Sequence, residues 1–163
     1  GQQKEVLKLI PGLENAEFVR FGQMHRNTFI NAPTLLHPTM QFRTHKNLYF
    51  GGQITGVEGY VGNIATGFIA ALNLSRQLNG LAEWTPAKET MLGALCNYIT
   101  HTDPKDFQPM KANFGILPSL GIKIKGKQKR KQAYAERAQE FMRQSLMILD
   151  DEVIQSNLEL NLQ

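Results

Sequence analysis

The chain has 163 residues, 42% of them apolar and 20% charged, with a net charge of +4 and a pI near 9.3. That length supports one domain with a buried core, and neither share points to disorder. The mild positive balance permits an anionic partner without requiring one. The single cysteine, Cys96, excludes an internal disulfide and a multi-cysteine zinc site, and it favours a reducing compartment. The four histidines, His25, His37, His45 and His101, lack the close pairings of metal sites. No apolar run approaches the ~18 residues that cross a membrane. The opening residues carry no leader-like apolar segment, so a cytoplasmic protein is expected.

In chain order, residues 4–10 predict a short helix ended by Pro11-Gly12. Residues 17–30 carry β-formers between polar residues and predict one or two strands broken near Gly22. Residues 31–46, with Pro33 and Pro38, predict loop or edge, and Leu48 to Phe50 a short buried strand. From Glu58 to about Gln77 the pattern turns helical. Val61, Ile64, Ala65, Phe68 and Leu72 share one face of that helix. Gly62 and Gly67 inside it each cost about 1 kcal/mol against alanine, so a close approach to a sheet or ligand is expected there.

Residues 79–84 read as a linker. Thr85-Pro86 then predicts a helix over 86–101 with Thr85 as N-cap. Leu92, Leu95, Cys96 and Ile99 form its buried stripe, which makes Cys96 a structural cysteine. Residues 103–121 hold three prolines and predict an ordered loop pinned by Phe107, Met110, Phe114, Ile116 and Leu117. Residues 122–125 alternate Ile and Lys, like an edge strand. A last helix is predicted from Lys127 to Leu149, with Tyr134, Ala138, Phe141, Met142 and Leu149 on its apolar face. Residues 150–163 read as a loose acidic tail.

The stretch "NLYFGGQITGVEGYVGNIATG" at 47–67 surrounds a strand–helix junction with Gly51, Gly52, Gly56 and Gly59. A helix start exposes free N–H groups and a partial positive charge that favour an anion, and glycine leaves room for it. The spacing matches neither the G-x-G-x-x-G dinucleotide fingerprint nor a P-loop. On spacing alone, an anion site and a plain packing turn remain equal readings.

Four blocks carry a resemblance: "PGLENAEFVRFGQMHRNTFINAPTLL" at 11–36, "NLYFGGQITGVEGYVGNIATGFIAALN" at 47–73, "MLGALCNYIT" at 91–100 and "DPKDFQPMKANFGILPSL" at 103–120. Together they closely resemble the C-terminal part of the bacterial folate- and FAD-dependent tRNA (uracil-5-)-methyltransferases, once called small glucose-inhibited division proteins. The resemblance implies an α/β flavoprotein parent with a Rossmann-like FAD-binding domain. It implies that this chain is a C-terminal fragment, α+β, with a few short strands followed by about three helices. On that reading residues 1–80 are the return segment of the FAD-binding domain, 81–149 a C-terminal helical region and 150–163 the tail. The fragment alone is expected to be inactive and prone to self-association through its uncovered apolar surface and open edges.

Members of that family form 5-methyluridine in the tRNA T-loop from methylenetetrahydrofolate with reduced FAD, NAD(P)H supplying reducing equivalents. The resemblance implies a flavin-side role for Gly52, Gln53, Gly56, Gly59 and Tyr60, and no catalytic residue is carried over. In "GQMHRN", Arg26 is a candidate to hold a glutamate tail, a phosphate or a flavin carbonyl, His25 to relay a proton, and Asn27 to line the same site. That block also separates the chain from the sister wobble-uridine proteins, which share "PGLENAE" and a similar glycine turn. A tRNA partner would suit the basic stretch Lys123, Lys125, Lys127, Lys129, Arg130 and Lys131, whose plain reading is a solvated face. A stand-alone basic RNA-binding module is the remaining alternative, although no aromatic-rich RNA motif supports it.

Overall fold

In the computed structural model, residues 2–19, 21 and 27–160 are described, with side chains through Leu149. The chain opens with helix α1 (Gln2–Leu7), and a four-residue helix α2 (Ala32–Leu35) follows. Strands β1 (Gln41–Phe42) and β2 (His45–Tyr49) pair antiparallel, with Gln41 opposite Tyr49 and Phe42 opposite His45. A 3-10 turn over Gly52–Thr55 leads to strand β3 (Val57–Glu58) and helix α3 (Tyr60–Leu78). Helix α4 (Met91–His101), strand β4 (Met110–Lys111) and helix α5 (Lys127–Leu160) complete the order. β3 and β4 pair in parallel, Val57 opposite Met110 and Glu58 opposite Lys111, partners 53 positions apart in the chain. The α+β architecture, short strands with several helices, is the one the resemblance implies, although β4 falls between α4 and α5 rather than ahead of the helices.

The core gathers α2, β3, α3 and α4. Ala32, Leu36, Met40, Val57, Ile69, Ala70, Leu95, Cys96, Ile99 and Phe107 form one buried cluster. The stripe read on α4 is present: Leu95, Cys96 and Ile99 are buried, and Leu92 packs partly against them. Phe107 is buried and Ile116 packs on the cluster, so the proline-rich loop is pinned as expected.

Several expectations are corrected. The described residues between 17 and 30 contain no strand; Ile30 instead donates its N–H to Ile54 O at 2.9 Å, laying this segment along the 3-10 turn. β2 exists but is not buried. Leu48 is exposed, because β1 is the strand's one ladder partner among the described residues. β2 also does not feed the long helix, since the turn and β3 intervene and the handover occurs at Gly59. Helix α4 starts at Met91 rather than residue 86, with Thr90 as N-cap accepting from Gly93 N at 3.0 Å. Residues 86–87 lie across that helix start: a Cβ on Gly93 would sit 2.0 Å from Ala87 O. Residues 122–125 form no strand, and α5 continues through Leu160 past the expected end at Leu149, no glycine or proline interrupting it.

The largest difference concerns α3. Its apolar face, Val61, Ile64 and Phe68, is exposed, while Thr66, Ile69, Ala70, Asn73 and Arg76 are buried. At ~100° per residue the two faces lie about 140° apart. The buried face is chosen by backbone satisfaction. Thr66 Oγ1 accepts from Gly52 N at 3.0 Å. Asn73 Nδ2 donates to Trp84 O and Asn73 Oδ1 accepts from Trp84 N, both at 2.8 Å. Arg76 Nε donates to Ala82 O. Loops that pack on a helix need such partners, and an apolar face has none to offer. The expected close approach is made at Gly62, where a Cβ would meet Val57 Cγ1 at 2.8 Å; at Gly67 a Cβ would meet nothing within 4 Å, and the steric demand falls on the loop glycine opposite it. A Cβ on Gly51 would stand 2.7 Å from Gly67 Cα, so loop and helix backbones touch here.

Candidate functional site

The site forms where β3 enters α3. Gly59 turns the chain with φ 86°, a conformation that favours glycine, and it caps α3 without a side-chain hydrogen bond. The N–H groups at the start of α3 therefore receive no side-chain cap and face the mouth of the junction. A polar cleft of about 480 Å³ opens there, lined by Asn27, Gln53, Glu58, Tyr60, Asn63 and Lys111, with Gly59 at its edge. The 27–30 segment brings Asn27 to it, the 3-10 turn brings Gln53, and the parallel pairing of β3 with β4 brings Lys111.

A second cleft of about 500 Å³ adjoins the first and shares Glu58, Gly59, Tyr60 and Lys111. Its far wall is apolar, made by Gly62 and Ala65 of α3 and Met91, Leu92 and Leu95 of α4. Gly62 is required there, because a Cβ would meet Val57 Cγ1 at 2.8 Å. The Lys111 stem passes beside Gly59, and the residue lines both the polar and the apolar cleft. Together they can hold a ligand with a hydroxylated or anionic part on one side and a flat apolar part on the other.

Of the expected residues, the structure unites Asn27, Gln53, Gly59 and Tyr60. Gly52 and Gly56 do other work. The Gly52 N–H is taken by Thr66 Oγ1, and the Gly56 N–H is donated to Gln53 O at 3.0 Å. Gly56 is small because Phe107 fills the space its Cβ would occupy, 2.5 Å from Phe107 Cζ. His25 and Arg26 lie outside the described residues. The six cations from Lys123 to Lys131 are exposed, far along the chain from the cleft.

Sequence reasoning missed Glu58, Asn63 and Lys111. The signal for Lys111 was weak, one of two lysines in a loop otherwise pinned by apolar side chains; its partner strand is invisible without the fold. Asn63 has a second mark: its Oδ1 is buried and has no hydrogen-bond partner. Buried polar atoms are nearly always paired, so this one is suited to a ligand donor. These features fit the polyhydroxylated, phosphate-bearing part of a flavin nucleotide: amides at Gln53 and Asn27, an ammonium at Lys111 and free helix N–H groups. Cys96 takes no part. Burial pushes its thiol up to about 12, so it remains protonated and inert. Among the described residues there is no metal-ligating cluster and no helix long and apolar enough to cross a membrane.

Comparison with known proteins bears on these expectations. The chain is 55% identical over 143 residues to a methylenetetrahydrofolate–tRNA-(uracil-5-)-methyltransferase TrmFO of Bacillus licheniformis, covering 88% of this chain and 33% of the relative. The proteins of the same name from Bacillus pumilus and Bacillus subtilis are 56% and 55% identical over 138 residues, 85% of this chain and 32% of each relative. The chain thus spans about a third of the length of these curated relatives. A family model described as "Glucose inhibited division protein A" matches residues 1–82, half of the chain, taking in the glycine turn, Gln53, Gly59 and all of α3. The chain belongs to the glucose inhibited division protein A family.

Proposed function

We propose that this chain is the flavin-side portion of a cytoplasmic tRNA methyltransferase. The enzyme forms 5-methyluridine in the T-loop, with methylenetetrahydrofolate as carbon donor and FAD and NAD(P)H as redox partners. The observation that carries this reading is the 55% identity over 143 residues to proteins bearing that name. The cleft at the β3–α3 junction supports it. Gln53 and Asn27 offer amides that both donate and accept to ribityl hydroxyls, and Lys111 and the α3 N–H groups favour phosphate oxygens. Asn63 Oδ1 accepts from a ligand hydroxyl. The Tyr60 side chain, 90% exposed, closes over the bound group. On the sequence alone, Arg26 is kept as the holder of a glutamate tail, a phosphate or a flavin carbonyl, and His25 as a proton relay. When bound, FAD supplies the electrons that reduce the transferred carbon to a methyl group.

The test is a chimera in which residues 1–145 replace the corresponding segment of the Bacillus subtilis relative. It is expressed in a strain whose tRNA lacks 5-methyluridine. The expected outcome is a flavin-bearing enzyme that restores the modification when methylenetetrahydrofolate is present. A chimera that folds and holds flavin yet leaves the T-loop unmodified would sink the reading. The sister wobble-uridine protein, which the family description alone would suit, predicts a modified anticodon uridine instead.

A further inference from the structure

The cations from Lys123 to Lys131 are more ordered in space than their spacing suggests. Arg137 donates through Nη1 to Ser119 O and through Nη2 to Pro118 O, both at 2.8 Å. Its guanidinium also lies 5.1 Å over the Tyr134 ring. Tyr134 packs edge-on to Phe114, centroids 5.7 Å apart, and Lys131 Nζ sits 5.8 Å over the other ring. Phe114 belongs to the loop that follows β4, and Ile116 of that loop packs on the core. The start of α5 is therefore fastened to the body rather than swinging on residues 120–126.

The fastening selects a face. At ~100° per residue, Lys127, Arg130, Lys131, Tyr134 and Arg137 fall within about 120° of arc. Three cations thus share the face of the two anchors, beside the half-exposed ring of Phe114. Lys123 and Lys125 approach it from the exposed lead-in, and Lys129 projects from the opposite side. Among the described residues none of the six has an ion-pair partner, and α5 has no acidic residue in its first turn. Unpaired cations gathered where a helix already carries partial positive charge repel one another, and an external polyanion relieves that.

We infer that this anchored collar, Lys123 to Lys131 with Phe114 beside it, is a docking surface for the phosphate backbone of RNA. The inference deepens the function proposed above by naming where its nucleic-acid substrate is gripped. Membrane docking is the competing use of a basic helix end, and the collar lacks what it needs. Residues 127–133 have no apolar face to insert, and Tyr134, the first large apolar side chain of α5, is engaged with Phe114.

The test measures binding of the whole 163-residue chain to an unmodified tRNA transcript across a salt series. It needs neither flavin nor catalysis, so its failure leaves the chimera experiment standing, and the reverse also holds. One variant carries Lys123→Glu, Lys127→Glu and Arg130→Glu. A charge-matched control carries Lys4→Glu, Lys88→Glu and Lys105→Glu, all at exposed positions on other elements. The collar reversal is expected to weaken binding at least ~10-fold and to flatten the log–log salt slope by about two units. The control is expected to change the slope by less than about one unit. The neutral triple Lys123→Gln, Lys127→Gln, Arg130→Gln, with unchanged circular dichroism, is expected to fall between wild type and reversal. Equal losses in collar reversal and control, absence of tRNA binding, or preferential binding to phosphatidylserine vesicles would each overturn the inference.

Discussion

Cys96 sits at 1% exposure with its thiol raised from 9.0 to about 12 by burial. A folded pKa above the unfolded one contributes stability that is complete below about pH 9 and is lost as pH rises from there toward 12. The measurable consequence is an alkylation contrast. Iodoacetamide near pH ~8 should leave native Cys96 untouched and modify it rapidly in denaturant; fast native labelling would place the residue elsewhere. Asn73 is the second telling residue. It closes both backbone groups of Trp84 and also donates to Ile69 O at 3.0 Å. Asn73→Leu keeps the size but strands the Trp84 N–H and C=O. The expected cost is about 1–3 kcal/mol, read as a lowered denaturant midpoint. An apolar periodicity search passes over Asn73, because its value lies in what the 79–84 loop brings to it.

At the scale of elements, the three long helices were legible, while the start of α4 and the end of α5 were not. Leu95, Cys96 and Ile99 mark α4 by spacing alone, yet Thr85-Pro86 looked like its start. Thr90 caps it instead, accepting from Gly93 N and donating to Ala87 O at 2.7 Å. Thr90→Ala should cost about 1 kcal/mol, while Thr85→Ala should be silent. For a chain of this size the thermal midpoint would fall by about 2–4 °C for the first and stay fixed for the second. The reverse pattern would restore the earlier helix start. The acidic end of the chain is helical through Leu160, and it holds no glycine or proline that would break the helix. The Ile-Lys alternation at 122–125 had the period of a strand, but among the described residues it pairs with none.

For the whole molecule, the uncovered face of α3 has the clearest consequence. Tyr60, Val61, Ile64 and Phe68 are exposed at 90%, 82%, 73% and 60%, a contiguous apolar strip on one helix. Monomers seldom leave such a strip bare. In a preparation of this chain by itself, a second copy is the partner available to cover it. Multi-angle scattering should show concentration-dependent association that Ile64→Glu with Phe68→Glu abolishes. A wild-type chain that stays monomeric at its solubility limit would refute this. The same substitutions leave the polar cleft intact, since neither residue lines it.

The sequence by itself determined the composition class, the three helices, the apolar stripe of α4 and the family, because each is written in local spacing or in long contiguous blocks. It also placed Gln53, Gly59, Tyr60 and Asn27 in one site through resemblance. Tertiary structure alone decided which face of α3 is buried, since that depends on whose backbone groups arrive to be satisfied. It also decided that Gly56 makes room for Phe107 and that Gly52 gives its N–H to Thr66. The parallel pairing of residues 57–58 with 110–111 brought Lys111 to the mouth of the helix. No local pattern encodes that contact, because strand pairing at such separation is settled by the packing of everything between.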